Sequence, residues 1–513
     1  MPEIILDKLM PSRDDQAPLT AAQADHSFFG HPRGLATLFF TEMWERFSYY
    51  GMRAILIYYM THKIVEGGLG FGVDKAGSVY GLYTSMVYLL CLGGGWIADR
   101  VTGQQRAVLM GGICIAAGEF CLVVPSEVFF YAGLVLLMMG TGLLKGNVST
   151  IVGQLYAKGD PRRDSGFSLF YMGINTGALI APIFCGWVGE TISWRLGFGV
   201  AGLGMLAGLL QYVLQRKHLG SAGLRPASTG NAALDQRQKR NAVLVVGGGL
   251  GVFALLAILG TTGVLAFTPK IIGDGLGWCL LAISVVVFSW LLLGGGWSPV
   301  ERKRSAAVLV LFVASALFWA SYEQAGSTLS LFAENNTDRH LPFGLLFPAS
   351  WYQTVQPIFV VALAPVFAWL WLVLSRRRRE PSSPAKFTLA LVFAGLAFAI
   401  LVPPAAAATH GAQASMWWLM GTYFLQTLGE LLLSPIGLSA MSKLAPDRAA
   451  GFMMGIWFLS TSIGNWLSGK AASLTASMPM LTVFEAVAAF SLAAALIMAI
   501  LVKPTVKLMS GVN

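Results

Sequence analysis

Long apolar blocks alternate with short polar connections along most of this chain of 513 residues. Many of the blocks reach the roughly 18 residues that a membrane-crossing helix requires. Polar residues dominate only the first 34 positions and the stretch from 215 to 240. The pattern predicts about 14 transmembrane helices, at 35–62, 77–98, 105–125, 128–156, 165–190, 194–214, 242–268, 275–297, 305–333, 350–375, 386–407, 414–443, 449–473 and 479–502.

The polar stretch after position 214 separates a front set of six blocks from a rear set of eight. The first two rear blocks lack buried charge, apart from Lys270 and Asp274 in their predicted connecting turn, so we expect an inserted hairpin. Six, two and six helices indicate an all-α polytopic membrane protein with two transporter halves. The predicted parts are a cytoplasmic N-terminal segment (1–34), an N-terminal six-helix bundle (35–214), a cytoplasmic linker (215–241), an inserted transmembrane hairpin (242–297), a C-terminal six-helix bundle (305–502) and a cytoplasmic tail (503–513).

Composition agrees with a chain covered by lipid. Charged residues make up only 12% of the sequence, against about 25% in soluble proteins. The net charge of +10 comes from basic residues gathered in alternate loops, which indicates membrane orientation rather than nucleic-acid binding. We therefore expect a multi-pass protein of the cell inner (cytoplasmic) membrane, surrounded by the lipid bilayer, with both termini in the cytoplasm and an uncleaved first helix.

The first predicted helix carries charges that lipid would not tolerate. Its polar side chains are spaced by three or four residues, which places them on one helical stripe. Such a stripe must face a water-filled cavity or partner charges. The stripe consists of Glu42, Glu45, Arg46, Tyr49, Tyr50 and Arg53.

Three further charges fall deep inside predicted helices. The front half contributes Lys145 in addition to Arg53, and the rear half contributes Glu323 and Glu430. Opposite charges divided between two halves can form ion pairs that break and form again as the halves rock. We predict two such gating pairs, Arg53 with Glu323 and Lys145 with Glu430.

The loop between the second and third predicted helices contains Gly95, Asp99, Arg100, Gly103 and Arg106. These residues resemble the GxxxDRxGxR loop of the major facilitator superfamily, with one extra residue before the second glycine and another before the last arginine. The carboxylate can accept from a helix N-terminus and the arginines can hold helix ends. The loop is expected to stabilise one conformation rather than to bind substrate.

Two longer motifs resemble a narrower family, the proton-dependent oligopeptide transporters of prokaryotic type. Glu42–Gly51 is similar to the ExxERFxYYG motif of that family, and Phe170–Gly177 is similar to its FYxxINxG signature. Weaker matches continue over roughly 35–500, and one departure is Gln356-Pro357 where the family usually has Asn-Pro. The weaker matches are the Lys145 segment, Trp194–Phe198, Trp319–Glu323, Gly429-Glu430 with Ser434-Pro435, and Trp457.

The resemblance implies a major facilitator fold and a proton-coupled symporter that imports di- and tripeptides by alternating access. It implies neither an enzyme nor a bound metal or cofactor, the proton being the coupling ion. Arginine and lysine suit a peptide carboxylate, and glutamate suits its amine. The implied substrate-binding residues are Arg53, Tyr49, Tyr50, Tyr88, Lys145, Tyr171, Asn175, Trp319, Gln356, Glu430, Ser434 and Trp457, and the implied proton-coupling residues are Glu42, Glu45, Arg46 and Glu323.

In the predicted mechanism, protonation of Glu323 releases Arg53 for the peptide carboxylate and loosens the outer gate. Glu45 with Arg46 then links this event to Lys145. Two alternatives stay open: a proton-coupled transporter of another small solute (a peptidomimetic, a modified amino acid or an anion), and a peptide receptor that does not transport. The intact charged stripe favours proton-coupled peptide transport over the first alternative. In a receptor that does not transport, the buried charges of both halves would have no evident purpose.

Overall fold

The computed structural model describes residues 25–157, 160–226, 231–261, 268–445 and 450–511. The chain within these ranges is almost wholly helical, and eleven of the described helical segments are long and apolar enough to cross a membrane. The predicted all-α polytopic architecture is confirmed. Most of the predicted N-terminal segment, and short parts of the predicted linker, hairpin and tail, lie outside the described residues.

Two helices of the front half depart from regular α-helical geometry at their C-terminal ends. A π-helical turn over Ala98–Thr102 ends the second helix, and another over Pro182–Gly186 continues the fifth. Proline lacks a backbone N–H, which accounts for the second irregularity. The helices are α1 (Arg33–Thr61), α2 (Val73–Ile97), α3 (Gln104–Val123), α4 (Glu127–Gln154), α5 (Arg162–Ala181), α6 (Trp187–Thr191) and α7 (Trp194–Gln215).

The inserted hairpin consists of α8 (Ala232–Thr261) and α9 (Pro269–Leu293). Both helices begin earlier than predicted, because capping side chains start them within polar sequence. The side-chain oxygen of Asn231 accepts from the N–H groups of Ala233 and Leu234 at 3.1 and 3.2 Å. Since α9 begins at Pro269, Asp274 lies within that helix and not in the connecting turn.

Two predicted helices of the rear half are broken. The segment predicted at 305–333 becomes a helix that ends at Tyr322, a 3₁₀ turn over Glu323–Gly326 and a second helix from Thr328. The segment predicted at 386–407 is interrupted just before Pro403, as expected for the residues that precede a proline. The elements are α10 (Pro299–Tyr322), α11 (Thr328–Asn335), β1 (Thr337–Asp338), α12 (Tyr352–Arg376), α13 (Ser383–Ala399), α14 (Val402–Thr409), β2 (Ala414–Ser415), α15 (Met416–Leu444), α16 (Ala450–Leu474) and α17 (Met480–Leu508).

The two halves pack together along α2 and α16. The hydroxyls of Ser85 and Ser462 each donate to the other residue's carbonyl oxygen, at 2.7 and 2.8 Å. A Cβ atom on Gly81 would lie 2.7 Å from the Cα of Gly469. Glycine is therefore required where these two helices cross so closely.

The halves also share an apolar core on one side of the molecule, here called the outer side, where α1 ends and α2 begins. Ile55 and Tyr58 of α1 belong to the same buried cluster as Leu329 and Phe332 of α11. The Tyr58 hydroxyl donates to the carbonyl oxygen of Ser330 at 3.1 Å. The outer ends of the halves are thus held together by both apolar and polar contacts. The hairpin joins this assembly through an ion pair between Asp274 and Lys470, and through Trp466 Nε1, which donates to the carbonyl oxygen of Gly273 at 2.8 Å.

Candidate functional site

The charged stripe of α1 contains one guanidinium between two carboxylates. Arg46 Nε lies 2.8 Å from Glu42 Oε1 and 2.9 Å from Glu45 Oε2. The three side chains are at most 4% exposed. The trio carries one excess negative charge when both carboxylates are ionised, and a buried charge requires compensation. Lys145, which lies within electrostatic range, or a proton on one carboxylate can provide it.

The outer end of the stripe joins the two halves. Arg53 Nη2 lies 2.7 Å from Glu323 Oε2, and Arg53 Nε donates to the hydroxyl of Tyr80 at 2.8 Å. Both charged side chains are buried, at 7% and 3% exposed. A Cβ on Gly326 would lie 2.8 Å from Arg53 Nε, so the glycine leaves room for the guanidinium. The predicted partners Arg53 and Glu323 therefore meet where the α10 helix gives way to the 3₁₀ turn.

The second predicted pair is not formed. Among the described residues, Lys145 makes no ion pair with a carboxylate, and its Nζ lies 4.0 Å from the centroid of the Tyr88 ring. Glu430 Oε2 instead accepts from the hydroxyl of Tyr322 at 2.5 Å. The reason is geometric: each group finds a partner within its own half, while the described ion pairs between the halves lie on the outer side. The Tyr88 ring reaches the rear half, 6.4 Å from the ring of Phe458.

Two of the three predicted polar side chains, Gln356 and Asn175, are occupied by partners in their own half. Gln356 Nε2 donates to Gln426 Oε1 at 2.8 Å, and Asn175 Nδ2 donates to the carbonyl oxygen of Tyr171 at 2.9 Å. The Ser434 hydroxyl is buried and has no partner among the described residues. Gln356 thus belongs to a pair of amides between α12 and α15, an arrangement that its longer side chain allows.

The predicted aromatic wall divides into accessible and packed residues. The Tyr171 side chain is 48% exposed, and Tyr50 and Tyr88 are half-buried. The ring of Tyr49 is buried and stands edge-on to that of Tyr50, with centroids 5.2 Å apart. Trp319 and Trp457 belong to the apolar core of the rear half, together with Phe318 and Phe387. Packing therefore takes Tyr49, Trp319 and Trp457 out of the accessible wall in this conformation.

Two tyrosines that the sequence reasoning did not select contact the charges directly. Tyr80 accepts from Arg53, and Tyr322 donates to Glu430. Helical spacing carries no signal for either residue, because their partners lie on other helices. Tyr322 directly precedes Glu323, and this adjacency was the one available indication.

A histidine on the outer side contacts two carboxylates and was not selected either. His62 Nε2 lies 2.7 Å from Glu334 Oε1 of the rear half, and its Nδ1 lies 3.2 Å from Glu66 Oε2. The ring packs against that of Trp194, with centroids 4.8 Å apart. The hydrogen bond to Glu334 raises the pKa of His62 above its usual 6.5, since a negative partner favours the charged imidazolium.

Glu190 forms another outer contact between the halves. Its carboxylate accepts from the backbone N–H groups of Ala349 and Ser350 at 3.0 and 2.7 Å. Arg339 Nη1 lies 3.5 Å from the same carboxylate. A front-half carboxylate thus caps the turn that leads into α12 of the rear half, where unpaired N–H groups favour an anion.

The loop motif after α2 makes its described contacts locally. Asp99 Oδ1 accepts from Gln104 Nε2 at 2.8 Å, and the guanidinium of Arg100 lies 5.2 Å from the Trp96 ring centroid. Gly103 has a φ of +77°, which favours glycine. The next segment is tied to the linker, because Gln105 N donates to the carbonyl oxygen of Gly223 at 2.9 Å.

Two six-helix halves with an inserted hairpin, and buried charges paired between the halves, define a secondary membrane transporter. A model of the POT family matches residues 105–229 and 298–490 of the chain. This protein belongs to the POT family.

Named relatives and solved structures agree with this assignment. The chain is 39% identical to the peptide transporter YePEPT of Yersinia enterocolitica, over 88% of this chain and 89% of that protein. It is 35% identical to a di-/tripeptide transporter of Lactococcus lactis, over 96% and 99%. The crystal structure of a peptide transporter POT in complex with sulfate is similar, with a TM-score of 0.88, 40% identity and coverage of 96% and 99%. A POT family transporter in complex with 5-aminolevulinic acid has a TM-score of 0.86, 34% identity and coverage of 94% and 98%. The predicted major facilitator fold is confirmed.

Proposed function

We propose that this protein is a proton-coupled symporter that imports di- and tripeptides across the cell inner membrane by alternating access. The observation that carries the proposal is the buried contact of Arg53 with Glu323, 2.7 Å long, between the two halves. Arginine binds carboxylates with two parallel hydrogen bonds. A peptide carboxylate and the Glu323 carboxylate can therefore compete for the same guanidinium.

Proton coupling follows from that competition. A proton on Glu323 removes the negative charge that holds Arg53, and the guanidinium then binds the peptide carboxylate. The same step removes one of the contacts that close the outer side. Loss of the proton after the halves have rocked restores the ion pair and releases the peptide.

The part of the stripe from Glu42 to Arg46 provides a second titratable group, the Glu45 carboxylate. Arg46 is shared by Glu42 and Glu45, and Lys145 lies within electrostatic range of all three. A proton on Glu45 makes the trio neutral and leaves Lys145 available to the substrate carboxylate or to Glu430. Glu430 in turn binds the peptide amine, with Tyr50, Tyr88 and Tyr171 as tolerant walls. On this proposal the basic loops and both termini face the cytoplasm.

The test uses purified protein in sealed liposomes and a radiolabelled dialanine. Glu323→Gln should abolish accumulation driven by an inward proton gradient and retain counterflow, which needs peptide exchange but no net proton movement. Glu485→Gln is the matched control, because Glu485 is exposed on α17. Full gradient-driven accumulation by Glu323→Gln would contradict the proton role. Absence of dipeptide uptake by the wild type would contradict the function.

A second candidate substrate class is a small amino-acid-like solute, favoured because a related structure holds 5-aminolevulinic acid. That compound has an amine and a carboxylate, as a peptide does. The two substrate classes are separated by measuring how strongly 5-aminolevulinic acid, trialanine and tetraalanine each inhibit dialanine uptake. Uptake of 5-aminolevulinic acid without uptake of dialanine or trialanine would replace the peptide proposal.

A further inference from the structure

Two adjacent residues, the last of α10 and the first of the 3₁₀ turn that follows it, contact charged groups on two different helices. Glu323 reaches Arg53 of α1, and Tyr322 reaches Glu430 of α15. Successive residues of a helix point about 100° apart. Tyr322 and Glu323 can therefore contact two different helices although they are adjacent in the chain. The Glu323 carboxylate is proposed to hold the proton, and the Glu430 carboxylate is proposed to bind the peptide amine. Tyr322 connects them, because it precedes Glu323 in the chain and its phenol contacts Glu430.

The Tyr322 ring is held in place by its own helix. It stacks on Phe318 with centroids 5.7 Å apart and meets Trp319 edge-on at 5.2 Å. A Cβ on Gly429 would lie 2.8 Å from Phe318 Cε2, so this glycine lets the α15 backbone approach the aromatic group closely. The phenol hydroxyl therefore has a preset position beside Glu430, and donates to its Oε2 at 2.5 Å.

We propose that Tyr322 is a positioning residue that orients Glu430 for the free amine of the substrate, and so determines specificity for an unblocked N-terminus. This inference rests on the proposed function. A phenol donates a single hydrogen bond, whereas an ionised carboxylate has about four acceptor positions. The bond to Oε2 fixes the Glu430 side chain and leaves Oε1 for an ammonium group. Fixing the side chain before binding lowers the entropy cost of binding.

The experiment compares two ligands that differ only in the amine: dialanine and its analogue with hydrogen in place of the amino group. Each is measured as an inhibitor of labelled dialanine counterflow. Tyr322→Phe keeps the ring contacts and removes the donor. It should weaken dialanine about tenfold, the lower range for a hydrogen bond to a charged group, and change the analogue by less than about twofold. Tyr423→Phe is the control, because the buried Tyr423 hydroxyl on α15 has no partner among the described residues, and it should change neither ligand.

A second comparison locates the effect at Glu430. In a Glu430→Gln background, Tyr322→Phe should change the affinity for dialanine by less than about twofold, because residues that act through one contact are not additive. A tenfold loss in that background, equal losses for both ligands, or no loss for dialanine would each overturn the proposal. Tyr322→Met, which also lacks a donor, should reproduce the split between the ligands if Tyr322→Phe does not purify as a folded protein. Failure of the wild type to exchange any dipeptide would instead refute the proposed function.

Discussion

The contacts around Arg53 and those around Lys145 use similar residues in opposite arrangements. Arg53 is paired with a carboxylate of the other half and donates to a tyrosine of its own half. Lys145 lies over a tyrosine of its own half, and Glu430 accepts from a tyrosine of its own half. The first region joins the halves, and in the second each charge is satisfied without the other half.

The difference between the two regions allows an alternative set of contacts to form in another conformation of the transporter. On the outer side, an apolar core, the Arg53 ion pair, His62 and Glu190 all join the halves. Around Lys145, tyrosines act as local substitutes for an opposite charge, through the ring face in one case and the hydroxyl in the other. A charge with a substitute partner can exchange it for an ion pair at low cost when the halves rock.

The largest expected effect comes from removing one partner of the joined pair. Arg53→Gln leaves Glu323, 3% exposed, buried without its cation. Breaking a buried ion pair in this way should lower the free energy of unfolding by about 3–5 kcal/mol, measured by thermal unfolding in detergent. The double variant Arg53→Gln/Glu323→Gln should recover most of this loss and still lack gradient-driven uptake. A double variant as unstable as the single one would show that the unpaired charge is not the cause.

A smaller effect on stability is expected in the second region. Lys145→Gln removes a cation that lies over an aromatic ring, so the free energy of unfolding should fall by about 0.5–2 kcal/mol. Uptake of dialanine should nevertheless fall about tenfold, as expected for loss of a charged contact with a carboxylate. Lys386→Gln is the contrasting control, because Lys386 also lies over an aromatic ring, with Nζ 4.2 Å from the Trp371 centroid, and is in addition paired with Glu380 at 2.7 Å. Loss of stability in Lys145→Gln as large as in Arg53→Gln would remove the distinction between the two regions.

The smallest effect concerns pH and the outer contact of His62. The hydrogen bond to Glu334 raises the pKa of His62 above its usual 6.5. Its stabilisation should be fully present below about pH 6.5 and disappear as pH rises through the raised pKa. The groups that face the ring are Glu334, Glu66 and the Trp194 ring. Because the His62 and Glu334 side chains are partly exposed, their contact contributes about 1 kcal/mol or less to the free energy of unfolding.

Thermal unfolding of the wild type and of His62→Gln over this pH range measures that contribution. The difference between the two proteins should be largest at low pH and vanish at high pH. The control is His340→Gln, which removes a histidine paired with Asp338 inside the rear half. A difference between wild type and His62→Gln that does not vary with pH would contradict the role of the charged imidazolium.

Much of the fold was predictable because its signals are local. A membrane helix satisfies its own backbone hydrogen bonds, so an apolar block of sufficient length specifies it without reference to the rest of the chain. The stripe from Glu42 to Arg53 follows from helical periodicity in the same way. The helix breaks at Glu323–Gly326 and before Pro403 were missed. Apolar stretches on both sides of the short polar turn over Glu323–Gly326 resemble one long span, and apolar residues continue through the break before Pro403.

Local sequence patterns specify the membrane-crossing segments, the charges that must be sheltered from lipid and, through two motifs, the family. The packing of the helices sets the partners of these charges. It brings Arg53 to the predicted Glu323, and it also places Tyr80 beside Arg53, Tyr322 beside Glu430 and an aromatic ring beside Lys145, which the sequence did not indicate. The physical reason is that helical spacing specifies which face of one helix is polar, whereas a contact between helices depends on their relative rotation and depth. Those quantities are set by packing over both halves, and they differ between the conformations through which a transporter passes.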